Sequence, residues 1–398
     1  MSQMMPFVRP YLTGKEAEYV NQAVSTGQLA SDGRFTKACA ALMEQQFGIR
    51  KVLMTPSCTA ALEMAAMLCD LGPGDEVILP SYTFVSTANA IVLRGAKPVF
   101  IDIRPDTLNL DETLIEEAIT PRTKAIFPVH YAGVACEMER IMTIAAKHNL
   151  LVVEDAAQGV NATYQGRALG SLGQLGCYSF HETKNYICGE GGALCINDPA
   201  LIERAEIIRE KGTNRSRFLR GQVDKYTWVE VGSSYLPSEL AMAFLYGQLE
   251  NLDSIQTARQ RVFDYYRERL SFLESMGVAR LPTVPESCRA NYHMFYLVVE
   301  NGTTRDALLS YLRENGIGAV FHYVPLHTSP MGRSLGYREG SLPETESLSQ
   351  RIIRLPFFGG ITTAEQDLVV ERITAFFQNC RSLPLDPIAT ACVTRVPN

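Results

Sequence analysis

A lysine and an aspartate are the residues of this sequence whose types and spacing best suit chemistry. Lys184 stands in the segment SFHETKN (179–185), and the glycine-rich run GEGG (189–192) follows it. Upstream, the apolar segment LVVED (151–155) ends in Asp155. Pyridoxal 5′-phosphate (PLP) needs a lysine amine for its Schiff base and a carboxylate that keeps its pyridine nitrogen protonated. Both residue types occur in the right order, so the sequence favours a PLP site.

Each of these two residues also has a purely structural interpretation. Most lysines are solvated surface residues, but Lys184 follows the apolar run 177–180, which predicts a buried strand with the lysine on the turn at its end. Asp155 also ends a predicted strand, at the edge where open parallel α/β sheets bind ligands. A helix N-cap for a segment beginning at Ala156 is the structural alternative for Asp155.

The composition is that of a globular protein. The 398 residues are 46% hydrophobic and 20% charged, which predicts two or three domains with a large core. The net charge of −6 argues against a general surface for nucleic acid or acidic membranes, so an anionic ligand has to be held by a local site. The start lacks a signal-peptide pattern and no run of about eighteen apolar residues occurs, so we expect a cytoplasmic protein.

The cysteines and histidines predict no metal site. The ten cysteines occur singly, without a CxxC pair. His322 and His327 have no carboxylates close to them in the sequence. Six of the cysteines have apolar neighbours and are expected to be small buried residues of a reducing compartment, namely Cys39, Cys58, Cys69, Cys136, Cys177 and Cys195.

Strand-like and helix-like segments alternate between residues 50 and 155. Short apolar runs predict buried strands at residues 51–54, 76–79, 98–101, 125–129 and 151–154. The segments between them have helical spacing of apolar residues, which predicts helices at 59–71, 84–93, 112–119 and 137–148. This alternation indicates βαβ units and therefore an α/β fold with a mainly parallel sheet covered by helices on both faces.

The pattern loosens after Lys184 and predicts a second, smaller unit. We expect a helix at 199–211, a polar loop at 213–226 and two helices within 238–276. Beyond residue 290, an α+β pattern predicts strands at 293–299 and 319–323 and helices at 305–315 and 364–378. The expected division is a large cofactor-binding domain at 1–252, a small C-terminal domain at 253–380 and a mobile tail at 381–398.

Hydroxyl residues near two predicted strand ends are candidates for holding a phosphate. The segment PSCTAAL (56–62) joins a strand to a helix, and a helix N-terminus offers free N–H groups to an anion. An ordinary N-cap at Ser57 or Thr59 is the alternative. Ser179 adds a hydroxyl close to Lys184 in the sequence.

An aromatic residue after another predicted strand could face the cofactor ring. Tyr82 or Phe84 would stack on the pyridine ring, and a place in the core is the alternative for each. The glycine run 189–192 predicts a tight turn into a strand rather than a phosphate loop, because no helix follows it.

Together these motifs resemble the DegT/DnrJ/EryC1/StrS aminotransferases, a family with the type I, aspartate-aminotransferase-like PLP fold. The resemblance extends from about residue 7 to residue 378. It rests on the segments PSCTAAL (56–62), YTF (82–84), EDAAQ (154–158), SFHETK (179–184) and GEGG (189–192).

The resemblance implies a role for each matched position. Lys184 would carry PLP as an internal aldimine, and Asp155 would pair with the pyridine nitrogen. Gln158 would hydrogen-bond the phenolic oxygen of the ring, and Phe84 would stack on it. The phosphate would be held by Ser57, Cys58, Thr59 and Ser179.

The resemblance also implies a second copy of the chain. Many relatives reach the phosphate with an asparagine from the other subunit; here Ser234 stands at that place, and Leu236 replaces a frequent arginine. We therefore expect a homodimer with the active site at the subunit interface and Ser234 contributed across it.

A closer resemblance within the family is to members that make dTDP-4-amino-4,6-dideoxygalactose. It rests on residues 55–67, 128–138, 211–216, 220–228 and 320–327. The implied partners are L-glutamate and a dTDP-4-keto-6-deoxy sugar, with no nucleic acid and no membrane. Candidate substrate contacts are His181, Arg215, Arg220, Lys225, His322 and His327. For Arg215, Arg220, Lys225 and His327, solvated surface charge is an equal interpretation.

Three other functions compete with this one. A sister aminotransferase would make the gluco epimer or aminate C3 of the sugar. A regulator built on the same fold is a distant alternative, since no DNA-binding element is attached. A dehydratase is disfavoured because those relatives carry histidine at the place of Lys184.

Overall fold

The computed structural model describes residues 4–381. The tail predicted at 381–398 lies outside this range apart from Arg381, the last residue of the final helix. No helix within the described range is long and apolar enough to cross a membrane.

The described residues form thirteen strands. They are β1 (Lys51–Thr55), β2 (Glu76–Pro80), β3 (Lys97–Ile101), β4 (Thr123–Ile126), β5 (Leu151–Asp155), β6 (Thr163–Tyr164), β7 (Arg167–Ala168), β8 (Leu175–Ser179), β9 (Gly192–Ile196), β10 (Ala279–Arg280), β11 (Cys288–Arg289), β12 (Tyr296–Val299) and β13 (Ile352–Arg354).

Seven of these strands form the central sheet, in the order β1-β9-β8-β5-β4-β2-β3. Strand β9 runs antiparallel to both of its neighbours, and the other strands are mutually parallel. The prediction of a mainly parallel α/β sheet is confirmed. Because parallel strands end at a common edge, the residues that follow β1, β2, β5 and β8 lie along one edge of the sheet.

The α-helices alternate with these strands in the first half of the chain, as predicted. Within residues 4–381 they are α1 (Glu16–Thr26), α2 (Arg34–Phe47), α3 (Cys58–Leu68), α4 (Val85–Val92), α5 (Ile115–Ala118), α6 (Met138–His148), α7 (Ile202–Arg209), α8 (Arg215–Leu219), α9 (Glu239–Leu249), α10 (Leu252–Leu270), α11 (Phe272–Ser275), α12 (Gly302–Glu314), α13 (Pro330–Ser334), α14 (Pro343–Ser349) and α15 (Thr363–Arg381). Short 3₁₀ turns lie at Glu112–Leu114, Tyr131–Gly133, Pro199–Leu201 and Leu326–Thr328.

Three predicted elements differ from the structure. The strand expected at 319–323 is absent: Val320 makes an isolated bridge with Arg354, while the Tyr82 hydroxyl binds the carbonyl oxygen of His322, so side chains replace part of a strand ladder. The strand expected at 293–299 begins at Tyr296. The loop expected at 213–226 contains helix α8.

The six cysteines with apolar neighbours are all buried and free, as predicted. These cysteines are divided between the two faces of the central sheet. Cys39, Cys136 and Cys195 belong to one hydrophobic cluster, whereas Cys58, Cys69 and Cys177 belong to the cluster on the other face.

A further hydrophobic cluster surrounds the antiparallel sheet β10-β12-β13, with helices α10, α12 and α15 packed against one another and the sheet. Its fully buried members include Phe295, Leu297, Leu308, Leu312, Ile353 and Ile373. Met5 belongs to the same cluster, and its N–H donates to the carbonyl of Gly316 at 2.8 Å. The described N-terminal segment is therefore anchored to this cluster.

Adjacent acids at the end of β5 serve opposite faces of the sheet, because side chains alternate along a strand. Glu154 is fully buried and accepts hydrogen bonds from the N–H groups of Gly170, Leu172 and Gly173, each at 2.7 Å. His130 Nε2 lies 2.9 Å from the same carboxylate. Glu154 thus fixes the loop before β8, whereas the Asp155 side chain lies on the opposite face of the sheet.

Gly192 permits close packing between β9 and the turn before α3. A Cβ at this position would lie 2.3 Å from the carbonyl carbon of Ser57 and 2.5 Å from the amide nitrogen of Cys58. Both contacts are to backbone atoms, which cannot rotate away.

We predict that Gly192→Ala lowers the free energy of unfolding by about 1–3 kcal/mol, the usual cost of overpacking. Gly72→Ala is the matched control, because a Cβ there would meet nothing within 4 Å. Urea unfolding of both variants measures the difference. Equal stability of the two variants would contradict the close approach of β9 to the α3 turn.

Candidate active site

Four strand ends of the central sheet converge on one cavity of about 780 Å³. Ser57 follows β1 and Phe84 follows β2, while Asp155 ends β5 and Ser179 ends β8. Lys184 lies on the turn after β8 and lines the same cavity. The structure therefore brings together the residues whose chemistry the sequence indicated.

Lys184 is positioned by a tight backbone turn. Its N–H donates to the carbonyl of His181 at 2.9 Å, and the N–H of Glu182 donates to the carbonyl of Gly189 at 2.9 Å. Burial lowers the pKa of the Lys184 amine, while Cys58 and Asp155 act in the opposite direction. A lowered pKa increases the fraction of neutral amine, which is the form that acts as nucleophile or base.

Asp155 has a hydrogen bond on each carboxylate oxygen and is only 5% exposed. Oδ2 accepts from the Thr87 hydroxyl at 2.6 Å, and Oδ1 accepts from the N–H of Ala157 at 3.1 Å. The Thr83 hydroxyl lies 3.0 Å from that of Thr87. The helix N-cap alternative is wrong, because residues 156–160 form turns rather than a helix. The Ala157 contact closes such a turn.

Gln158 has a fixed amide orientation. Its Oε1 accepts from the N–H of Ala132 at 2.7 Å, and its Nε2 donates to the Tyr323 hydroxyl at 3.1 Å. The backbone N–H can only donate, so the amide oxygen has to face Ala132 and the NH₂ group has to face Tyr323. Gln158 and Tyr323 both line the cavity.

The N-terminus of α3 opens onto the cavity. Ser57 Oγ accepts from the N–H of Ala60 at 3.1 Å, so the N-cap interpretation of Ser57 is confirmed. The first N–H groups of a helix have no intrahelical partner and bind anions well. Thr59 lies beside them, with its hydroxyl 2.8 Å from that of Ser86. Ser57, Cys58, Thr59 and Ser179 all line the cavity.

The two aromatic candidates have different environments. Tyr82 is 1% exposed, lies in the core and binds the His322 carbonyl, so it is a core residue. Phe84 is 57% exposed and lines the cavity. Of the two side chains, Phe84 is therefore the one available to a ring in the cavity.

The predicted substrate contacts separate into two groups. His181 and His322 line the cavity, whereas Arg215, Arg220, Lys225 and His327 do not. Arg215 pairs with Glu210 and Arg220 with Glu206, each at 2.8 Å. Lys225 is exposed.

His327 is a buried structural residue. Its Nδ1 lies 2.7 Å from the Ser81 hydroxyl, and its Nε2 lies 2.8 Å from Glu346 Oε1. No carboxylate is close to His327 in the sequence, but in the fold Glu346 reaches it from α14. The described residues contain no group of three or more ligands that could hold a metal ion.

Ser234 does not line the cavity of its own chain. It is exposed and forms an isolated bridge with Glu210. Large apolar side chains on the neighbouring loop are also exposed, including Trp228 at 74%.

Several residues that line the cavity or hold its side chains were missed by the sequence reasoning. Thr87 holds Asp155 from the first turn of α4, and Tyr323 holds Gln158. His293 and Arg354 line the cavity from the second half of the chain. The sequence could have indicated Thr87, because it follows Phe84 by one helical turn. It could not have indicated Tyr323, His293 or Arg354, since folding brings them to the site from distant positions.

Comparison with known proteins agrees with this site. The model of the DegT/DnrJ/EryC1/StrS aminotransferase family matches residues 10–374. A "Pleiotropic regulatory protein" of Geobacillus stearothermophilus is 38% identical over 321 residues, which cover 80% of this chain and 83% of the relative. The GDP-perosamine synthase of Caulobacter vibrioides is 35% identical over 368 residues, which cover 91% and 95%.

Solved structures share the fold over nearly the whole chain. The aminotransferase TlmJ from Streptoalloteichus hindustanus superposes with a TM-score of 0.87 at 30% identity, covering 95% of this chain and all of TlmJ. Other solved structures of the same fold contain the PLP or the PMP form of the cofactor. The chain therefore belongs to the DegT/DnrJ/EryC1/StrS aminotransferase family and has the type I fold of PLP-dependent transferases.

Proposed function

We propose that this protein transfers the amino group of L-glutamate to C4 of dTDP-4-dehydro-6-deoxy-D-glucose. The products are dTDP-4-amino-4,6-dideoxy-D-galactose, a precursor of surface polysaccharides such as lipopolysaccharide or enterobacterial common antigen, and 2-oxoglutarate. The observation that carries the proposal is the single cavity shared by Lys184, Asp155 and the N-terminus of α3. A cytoplasmic location fits the substrates.

The cofactor is PLP, and the residues present fit it. The α3 N-terminus with Ser57 and Ser179 suits the phosphate, and Asp155 suits the protonated pyridine nitrogen. When bound, PLP supplies an electron sink for negative charge at the reacting carbon. Phe84 would cover the ring, and the NH₂ group of Gln158 would donate to its phenolic oxygen.

Lys184 would hold the cofactor and move the proton in both halves of the reaction. Its neutral Nζ would accept the proton from Cα of the amino acid, and Nζ would later deliver a proton to C4 of the sugar. Burial lowers the pKa of this amine, which favours the neutral form that the first step needs.

Asp155 would act through its charge. The Thr87 hydroxyl and the Ala157 N–H each donate a hydrogen bond to its carboxylate. Thr87 is a positioning residue in this proposal, since it touches Asp155 rather than the ligand.

The sugar acceptor is proposed from local sequence resemblance. The members that make the galacto product are resembled by residues 55–67, 128–138, 211–216, 220–228 and 320–327. A sister activity that makes the gluco epimer, or aminates C3, would need another orientation of the sugar over the same lysine. A regulatory function is favoured by the name of one relative, the "Pleiotropic regulatory protein". A regulatory function does not explain, however, why Lys184 and Asp155 line one cavity.

Product stereochemistry tests the proposed substrate. Incubation of the enzyme with dTDP-4-keto-6-deoxyglucose and L-glutamate should give a 4-amino sugar whose C4 amine is axial, as NMR coupling constants would report. An equatorial amine, or amination at C3, would identify a sister activity. No consumption of glutamate would favour the regulatory function.

We also propose a division into a large domain (1–252) and a small domain (253–380), and an isologous homodimer. The exposed loop that carries Trp228 and Ser234 would pack on a second copy, and Ser234 would complete its phosphate site. A hydroxyl contact of this kind stabilises by about 0.5–1.5 kcal/mol.

Mixed dimers test the shared site. Lys184→Ala and Ser234→Trp subunits should each be inactive alone, because one lacks the amine and the other blocks the phosphate site of its partner. Mixing them should restore part of the activity, since one site of the heterodimer combines an intact lysine with an intact loop. Heterodimers without activity would show that each site is built by one chain.

A further inference from the structure

Asn185, the residue after Lys184, joins the lysine turn to the segment before β12. Its side chain is almost fully buried. Its Nδ2 donates to the carbonyl of Asn291 at 2.7 Å, and its Oδ1 lies 2.8 Å from Nδ1 of His293. A carbonyl can only accept, so the NH₂ group has to face Asn291 and the amide oxygen has to face His293.

The contact with Asn185 fixes which ring nitrogen of His293 carries a hydrogen. An amide oxygen only accepts, so Nδ1 of His293 has to donate. Burial lowers the pKa of His293 well below its usual range, and nearby positive charges, first among them that of Lys184, lower it further. A neutral imidazole has one N–H, so Nε2 keeps its lone pair and can only accept a hydrogen bond.

The acceptor nitrogen of His293 has no hydrogen-bond partner within residues 4–381, although the residue is only 8% exposed. Two other buried histidines have both ring nitrogens occupied. His130 Nε2 lies 2.9 Å from Glu154, and its Nδ1 accepts from the N–H of Cys136 at 3.2 Å. Both nitrogens of His327 also lie beside side-chain partners. His293 therefore has one nitrogen left for a group in the cavity.

The other two histidines that line the cavity differ from His293 in this respect. Nδ1 of His322 lies 2.9 Å from the Tyr131 hydroxyl, which can donate or accept, so this contact imposes no tautomer. Nδ1 of His181 accepts from the N–H of Thr183 at 3.2 Å, so its hydrogen is on Nε2. Of the three, His293 is the one whose free nitrogen is fixed as an acceptor.

Lys184 is the donor placed to reach this nitrogen. The Lys184 and His293 side chains line the same cavity. They also line a recess beside it that is too narrow for a water molecule, so solvent does not separate them there. The Lys184 Nζ has no other hydrogen-bond partner within the part of the chain that the structure describes.

We infer that Nε2 of His293 accepts a hydrogen bond from the Lys184 amine whenever the amine is not bound to the cofactor, and that Asn185 prepares His293 for this contact. The inference rests on the proposed function, in which Lys184 moves the proton. An amine held through one N–H cannot rotate freely, so its lone pair keeps one direction. Alignment of this kind speeds proton transfer. His293 is thus a positioning residue that acts through Lys184.

Two substitutions separate this role from support of the fold. His293→Asn keeps a donor near the place of Nδ1 for Asn185 but removes Nε2, whereas His293→Gln puts an amide near the place of Nε2 and loses the Asn185 contact. His293→Asn should slow the spectral change of the holoenzyme with L-glutamate about 10-fold, and His293→Gln should slow it less. Equal rates, or the reverse order, would overturn the inference. His148→Asn, on an exposed side chain, is the control and should change the rate less than about twofold.

The two half-reactions show which group Nε2 binds. Lys184 would move the proton in both, so His293→Asn should slow the reaction with L-glutamate and the reaction of the aminated enzyme with the keto sugar to similar extents. Slowing of the sugar half alone would assign Nε2 to a sugar hydroxyl and overturn the inference.

A double substitution shows whether His293 acts through Lys184. In the Lys184→Ala holoenzyme, His293→Asn should slow the residual reaction by less than about twofold, because no amine remains to be held. A 10-fold effect in both backgrounds, about the same as in the single variant, would overturn the inference. If His293→Asn does not fold, Asn185→Leu should show the same dependence on Lys184 to a smaller degree, and an effect independent of Lys184 would contradict the inference. A wild-type holoenzyme that shows no spectral change with L-glutamate would reject the proposed function, and the inference with it.

Discussion

A carboxylate buried away from water is the constraint on which this site depends. Asp155 is almost fully buried, and a buried charge is stable only when hydrogen bonds replace its water. The Thr87 hydroxyl and the Ala157 N–H supply those bonds on the protein side. The face that remains is turned toward the cavity of Lys184. The carboxylate is thus placed to pair with a cationic group of a ligand, and we propose that the protonated pyridine nitrogen is this group.

The parallel sheet explains why these groups meet. Strands β1, β2, β5 and β8 end at one edge, so four short loops place Ser57, Phe84, Asp155 and Ser179 around one space. Alternation along β5 sends Glu154 to the other face, where it fixes a loop. Neighbouring acids therefore face different surroundings: Glu154 binds a loop, whereas Asp155 lines the cavity.

The sequence indicated the parts of the site that lie in continuous segments. Helical and strand periodicity located the βαβ units, and the strand-end segments located Lys184, Asp155, Gln158 and Phe84 in the cavity. Contacts between distant segments could not be predicted in this way. The 319–323 segment was predicted as a strand, but it pairs with β13 only at Val320, and the Tyr82 hydroxyl binds the carbonyl oxygen of His322. The sequence did not indicate that His327 contacts Glu346 or that Arg354 lines the cavity, because both depend on tertiary packing.

The central claim is that Lys184 and Asp155 act as a pair on one cofactor. Stopped-flow absorbance of the holoenzyme after mixing with L-glutamate tests it most directly. Lys184→Ala and Asp155→Asn should each slow the spectral change by at least about 10²-fold, the lower range for loss of an acid–base group, while circular dichroism stays that of the folded protein. A folded variant of either residue that reacts at nearly the wild-type rate would contradict the account.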